Sequence, residues 1–182
     1  MTPHSYSSLG IVLGRKNYGE ADRILSIYSS DRGRISLIAK GIRRPKSKKR
    51  GHLEVFSLVK FQANSGHGLD MLTEADISDD FKEIRNSLPK ITLAYYLMEV
   101  VGKITHENEQ NHELFNLILS SLNKLKTENK LKELRLNFVT NLLRIMGYWP
   151  HGQTLPNPDE VLEEVIERKI YSERVGRRIL AK

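Results

Sequence analysis

From Tyr6 to about Ile77 apolar and polar residues alternate in short runs, and beyond Ile77 the apolar spacing lengthens to three and four residues. Alternation fits a strand with one buried face, whereas the longer spacing fits a helix with an apolar stripe. The first region holds five β-type runs, Tyr6–Arg15, Arg23–Ser29, Arg34–Lys40, Glu54–Ala63 and Leu69–Ile77, each rich in β-branched or aromatic residues. Ser30-Asp31-Arg32-Gly33 joins the second run to the third, with Gly33 suited to the left-handed position of a short hairpin loop.

The second region predicts helices. Ser78-Asp79-Asp80 is expected to cap a short helix through Arg85, with Ser78 as N-cap and acids in the first turn. Leu93, Tyr96, Leu97, Val100, Val101 and Ile104 form one stripe within Leu88–Thr105. Asn111 opens a second long helix with Leu114, Ile118, Leu122 and Leu125 on one face. Leu131, Leu134, Phe138, Leu142 and Ile145 repeat the pattern, closed by Gly147 as a C-cap. After a loop rich in Pro and Gly, Asn157-Pro158-Asp159-Glu160 starts a last helix, with Asn157 as N-cap and Pro158 at its first position. The fold class expected is α+β, a small β-barrel over residues 1–78 followed by an α-helical domain over residues 79–182. Five short strands fit the OB-fold, a nucleic-acid-binding barrel, and an SH3-type barrel equally well by count.

Composition narrows the chemistry. The 182 residues include no cysteine, which excludes disulfides, iron–sulfur clusters, a thiol nucleophile and cysteine-ligated zinc, and suits a reducing cytoplasm. The longest strongly apolar segment, Ile91–Met98, falls well short of the roughly 20 residues that span a bilayer. The first residues lack the basic region of a signal peptide, so a soluble intracellular protein without membrane contact is expected.

Charge changes the picture most. Between Arg32 and Leu53 stand nine of the 29 Lys and Arg residues and none of the 22 acids, leaving 20 cations against 22 acids elsewhere. The formal charge of +7 is therefore +9 in this stretch and −2 in the remainder. Cations gathered in one segment make a directed field that polyanions follow. Arg34, Lys40, Arg43, Arg44, Lys46, Lys48, Lys49 and Arg50 are the candidate nucleic-acid contacts, since the Lys40–Arg50 run joins two strands at the rim of the expected barrel. A solvated loop, or a nuclear import signal over Pro45–Arg50, are the plain alternatives. Tyr18 and Phe56 are candidate base-stacking platforms, Phe56 from the strand face it would share with Lys60. Val55, Val59 and Phe61 share the opposite face and are expected in the core, and Tyr18 has a structural role in the turn as its alternative.

Nothing points to catalysis. The six histidines show no helical pair at metal-ligand spacing, so no metal is expected. Ser65-Gly66-His67-Gly68 lacks the Gly-Lys-Ser/Thr ending of a phosphate loop and fits a hairpin turn. No nucleophile with a base emerges, and no cofactor is implied. Glu20 and Asp22 are expected to orient Arg23 or cap the turn.

The ordered set of phrases resembles a known family. Gly10-Ile11-Val12-Leu13, Tyr18-Gly19-Glu20-Ala21-Asp22-Arg23, Gly33 with Ile35, Ala39-Lys40-Gly41 leading into Arg43-Arg44, and Ser47 are similar to the N-terminal region of the RecO family of bacterial DNA repair proteins. Looser similarity runs through Glu74-Ala75-Asp76, Phe81, Ile84, Ala94-Tyr95-Tyr96, Glu113-Leu114-Phe115 and Leu142-Leu143 with Gly147, so it covers roughly residues 6–150. The resemblance implies an OB-fold followed by a helical domain, and a cytoplasmic, nucleoid-associated mediator of recombinational repair that is not an enzyme. It also implies binding of single- and double-stranded DNA, annealing of complementary strands, and loading of RecA onto strands coated with single-strand-binding protein, SSB, together with RecR. Contact with SSB would be through its acidic C-terminal tail. Some members hold a cysteine-ligated zinc in the helical region, for which this chain has no cysteine ligands, and the resemblance is not carried into residues 151–182. Two rivals stand beside this reading: an OB-fold RNA-binding protein of ribosome or tRNA metabolism, and a scaffold whose basic loop holds an acidic protein tail.

Overall fold

β1 (Ser5–Tyr18) runs for 14 residues because two neighbours share it. Its first half pairs antiparallel with β4 (Leu58–Asn64) and its second half with β2 (Asp22–Ser29), the two registers overlapping at Gly10 and Ile11. There the barrel interior is too tight for a side chain: a Cβ on Gly10 would stand 2.4 Å from Ile27 Cγ2. A bulge between Val12 and Gly14 bends the strand from one partner to the other. The chain, a computed structural model, is described over residues 5–44, 53–66 and 68–166.

β3 (Gly33–Ala39) continues antiparallel from β2, and β5 (Asp70–Asp79) lies antiparallel to β4. β3 and β5 meet in parallel only at Leu37↔Asp70 and Ile38↔Met71, and this short contact closes the barrel in the order β1-β2-β3-β5-β4. That order is the OB-fold arrangement, which separates the two barrels that strand count left open. Alternate residues point inward, so Val12, Leu25, Ile27, Leu37, Val59, Phe61 and Leu72 fill one core. The β2–β3 hairpin turns as expected, with Gly33 at φ 69°.

Two local expectations fail. Phe56 does not sit on a strand with Lys60, because β4 begins only at Leu58. Residues 54–57 form a turn docked on β1, with Phe56 N–H donating to the Val12 carbonyl at 2.7 Å and Val12 N–H to the Ser57 carbonyl at 3.0 Å. Phe56 takes φ 59° and is fully buried; burying its ring offsets the left-handed backbone. Ser78 is likewise not an N-cap, since β5 runs to Asp79 and α1 (Lys82–Arg85) starts after Phe81, whose φ is 51° and whose side chain is buried.

The helices otherwise follow the predicted stripes. They are α2 (Leu88–Ile104), α3 (His112–Thr127), α4 (Leu131–Ile145) and α5 (Pro158–Val165). α2 buries nine positions, more than its predicted stripe, and so lies in the interior of the helical unit. Past α4, Gly147 takes φ 77° and its N–H returns to the Arg144 carbonyl at 3.0 Å. α5 is tied to α4 by Arg135 and Asp159, the second of two hydrogen bonds measuring 2.8 Å. Asn157 precedes α5 without a side-chain capping bond.

The chain divides into two compact units. The first contains residues up to Asp80 together with Thr105–His112, and the second contains Phe81–Ile104 and residues from Glu113 onward. Thr105–His112 belongs with the barrel because it lies along β3, forming an isolated parallel bridge between Arg34 and Glu107. No helix among the described residues is long and apolar enough to cross a membrane.

Candidate nucleic-acid interface

The basic stretch leaves the barrel at Ile42 and returns at Leu53, and both are core residues, 1% and 2% exposed. Burying an apolar residue at each end fixes both stems of the intervening segment. The first stem folds against the β1–β2 turn. Gly41 N–H donates to Asp22 Oδ1 at 2.7 Å, Arg43 N–H to the Ala21 carbonyl at 2.9 Å, and the Arg43 guanidinium to the Gly19 carbonyl at 3.4 Å. The second stem is held by an ion pair between Arg15 of β1 and Glu54. Asp22 therefore anchors the basic stem, and Arg23 Nε donates to Asn17 Oδ1 at 3.2 Å.

This anchoring brings four predicted residues to one rim. Lys40, Arg43 and Arg44 are exposed where β3 ends, and Tyr18, 54% exposed, stands at the end of β1 beside the turn that Arg43 touches. An aromatic ring offered to solvent among cations can stack a base while the cations neutralise phosphate. Lys46, Lys48, Lys49 and Arg50 lie outside the described residues.

Arg34 and Phe56 do not join the rim. Arg34 sits near the opposite end of β3, about 20 Å of strand from Lys40. Its Nε donates to the Thr105 carbonyl at 3.1 Å, and its guanidinium stands 3.7 Å from Glu107 Oε1. Phe56, with no exposed surface, offers no face to a base. Both departures have one cause: the partners, Val12 for Phe56 and Thr105 and Glu107 for Arg34, are far off in sequence.

The structure adds residues that charge counting passed over. Lys16 is exposed on β1 opposite Ile24, which pairs across β2–β3 with Ile38, and both isoleucines remain partly exposed. A cation beside an apolar patch suits a nucleotide strand. At the hairpin end, Ser8 and Ser30 hydroxyls donate to Asp31 at 2.7 and 3.0 Å and hold its carboxyl below the usual carboxylate range. Nearby, burial first and the Glu109 charge second push the Tyr28 hydroxyl up to about 12. Among the described residues no cluster of His, Asp or Glu is arranged to hold a metal ion.

Comparison with known proteins places both units. The family model described as Recombination protein O N terminal matches residues 1–81, and that described as Recombination protein O C terminal matches residues 85–154. Proteins named DNA repair protein RecO from two strains of Dehalococcoides mccartyi are 34% identical over 155 residues and 33% identical over 174 residues. These alignments cover 85% and 96% of this chain, and 61% and 68% of the relatives. One from Acetivibrio thermocellus is 37% identical over 142 residues, 78% of this chain and 57% of the relative. The chain thus spans about three fifths of the length of the relatives it matches.

Proposed function

The chain belongs to the RecO family of DNA repair proteins, and from that premise we propose that it is a DNA-binding recombination mediator rather than an enzyme. The observation that carries this reading is the rim of the OB-fold, where Lys40, Arg43 and Arg44 are anchored beside exposed Tyr18. Cations without base-specific geometry bind backbone phosphate and leave sequence unread. Single- and double-stranded DNA are the proposed ligands, and Lys46, Lys48, Lys49 and Arg50 extend the same charge. Neutralising two polyanions together favours their pairing, so annealing of complementary strands without nucleotide hydrolysis is the proposed activity. The test is strand pairing with and without the protein in the absence of ATP; acceleration supports the reading, and an absolute need for ATP overturns it.

In this reading residues 1–78 face DNA and residues 79–150 face proteins: RecR, the SSB tail and, indirectly, RecA, which the mediator helps to load. An acidic tail ending in an apolar residue needs an apolar pocket beside a cation. The groove between α3 and α4, 360 Å³, is lined by Leu117, Leu134 and Phe138 together with Lys124, Lys130 and the carboxylates Glu128 and Glu133, the last 3.4 Å from Lys130, and Lys124 is the cation proposed to meet the tail. Full-length chain should bind a tail peptide by fluorescence anisotropy, and charge reversal at Lys124 should weaken it. Undiminished binding by that variant removes the groove from the proposal.

A further inference from the structure

Thr105–His112 connects α2 to α3, yet it is held to the start of β3 by contacts that need no acidic side chain. Asn108 N–H donates to the Arg34 carbonyl at 2.8 Å, Arg34 Nε to the Thr105 carbonyl at 3.1 Å, and Gln110 Nε2 to the Ser30 carbonyl at 3.3 Å. β3 accommodates this strap because β5 reaches it only at Leu37 and Ile38. Asn108 turns the strap with φ 62°. Just before that turn, the Glu107 carboxylate accepts the Ser36 hydroxyl at 2.7 Å and stands 3.7 Å from the Arg34 guanidinium.

Arg34, Ser36 and Ile38 alternate along one side of β3, opposite Tyr28, Ser26 and Ile24 of β2; Tyr28 is fully buried, so the open part of this row is the partly exposed Arg34, Ser36 and Ile38 with Ser26 and Ile24. An oxyanion held by a guanidinium and a hydroxyl is the contact set that a backbone phosphate oxygen takes. We propose that Glu107 is a built-in competitor that occupies a phosphate position on the β2–β3 face, so that a nucleic-acid strand crossing this face displaces its carboxylate. The proposal rests on the nucleic-acid reading above and adds its regulation. The Glu107 side chain is 48% exposed, so water screens the pair and eases exchange. The main-chain anchors remain when the carboxylate swings away, leaving Arg34 and Ser36 in place for the incoming phosphate. An isolated anion competes poorly with a tethered carboxylate. A strand already held at the Lys40–Arg44 rim competes at high effective concentration, so the strap favours long strands over short anions.

The test is binding of a labelled oligothymidylate by the full chain over a salt series. Glu107→Gln keeps an acceptor for Ser36 and removes the charge. It should tighten binding roughly threefold to tenfold at low salt and steepen the slope of log K against log salt by about 0.7, the value for one added phosphate contact on a single strand. Glu107→Ala, checked by its melting curve, should act in the same direction. Adding Arg34→Ala to Glu107→Gln should cancel the gain. Glu74→Gln on β5 removes the same charge away from this row and should leave the slope unchanged. Wild-type binding that Glu107→Gln does not alter, or equal gains from Glu107→Gln and Glu74→Gln, overturns the competitor while leaving the DNA reading standing. Absence of binding by both wild type and Glu107→Gln overturns the two together.

Discussion

Gly33 and Glu109 approach so closely that a Cβ on Gly33 would lie 1.9 Å from the Glu109 carbonyl oxygen. Gly33 is therefore required twice, once by its φ of 69° at the hairpin and once by the strap that crosses it. Gly33→Ala should destabilise the protein by more than about 2 kcal/mol, since backbone strain and steric overlap add. Gly19, at φ 55° with open space around its missing Cβ, supplies the comparison. Gly19→Ala should cost only about 1–2 kcal/mol. Urea denaturation of the two variants measures the difference, and equal costs would mean that the strap yields freely.

Replacing Lys40, Arg43 and Arg44 together by Ala should weaken binding to single strands of every sequence alike. If each contacts one phosphate, the slope of log K against log salt should flatten by roughly 2. A salt titration of wild type and variant reads this directly. Tyr18→Ala should reduce affinity by about 1–3 kcal/mol if the ring stacks a base, with no change in slope. A change confined to the slope would assign Tyr18 to the turn alone.

Arg135 and Asp159 join α4 to α5 with side chains only 15% and 25% exposed, and the Arg135 guanidinium also lies 5.6 Å from the Tyr96 ring. Removing one partner leaves a partly buried charge behind, so Asp159→Ala should cost about 1–3 kcal/mol. The double variant with Arg135→Leu should lose less than the sum of the single changes. A double-mutant cycle by denaturation gives the coupling, and strict additivity would show that the pair is inert.

Asp31 has its carboxyl held low by the Ser8 and Ser30 hydroxyls. Its folded value lies below its unfolded value of about 4, so the stabilisation is present above that pH and is lost as pH falls through the folded value. Asp31→Asn should lower the melting temperature at neutral pH, and the gap to wild type should close in acid. A gap that persists well below about pH 4 would show that the hydroxyls serve shape rather than charge.

Five strands, the helical stripes, the Gly33 hairpin and the concentration of positive charge between Arg32 and Leu53 were legible in residue order alone. These features follow from residue type and spacing within a dozen positions, where strand and helix periods impose themselves on the chain. It also carried the order of phrases by which the family was legible. That Phe56 turns inward on Val12, that Asp22 anchors Gly41 and that Arg34 is met by Thr105 and Glu107 became visible with the chain folded. Asp22 and Gly41 are 19 residues apart, and Arg34 and Thr105 are 71. Local pattern carries no information about which partner arrives across such a gap. Barrel closure leaves the first residues of β3 without β5 beside them, and the Arg34 carbonyl there is met by the Asn108 N–H of a segment whose own composition gave no sign of belonging to the barrel.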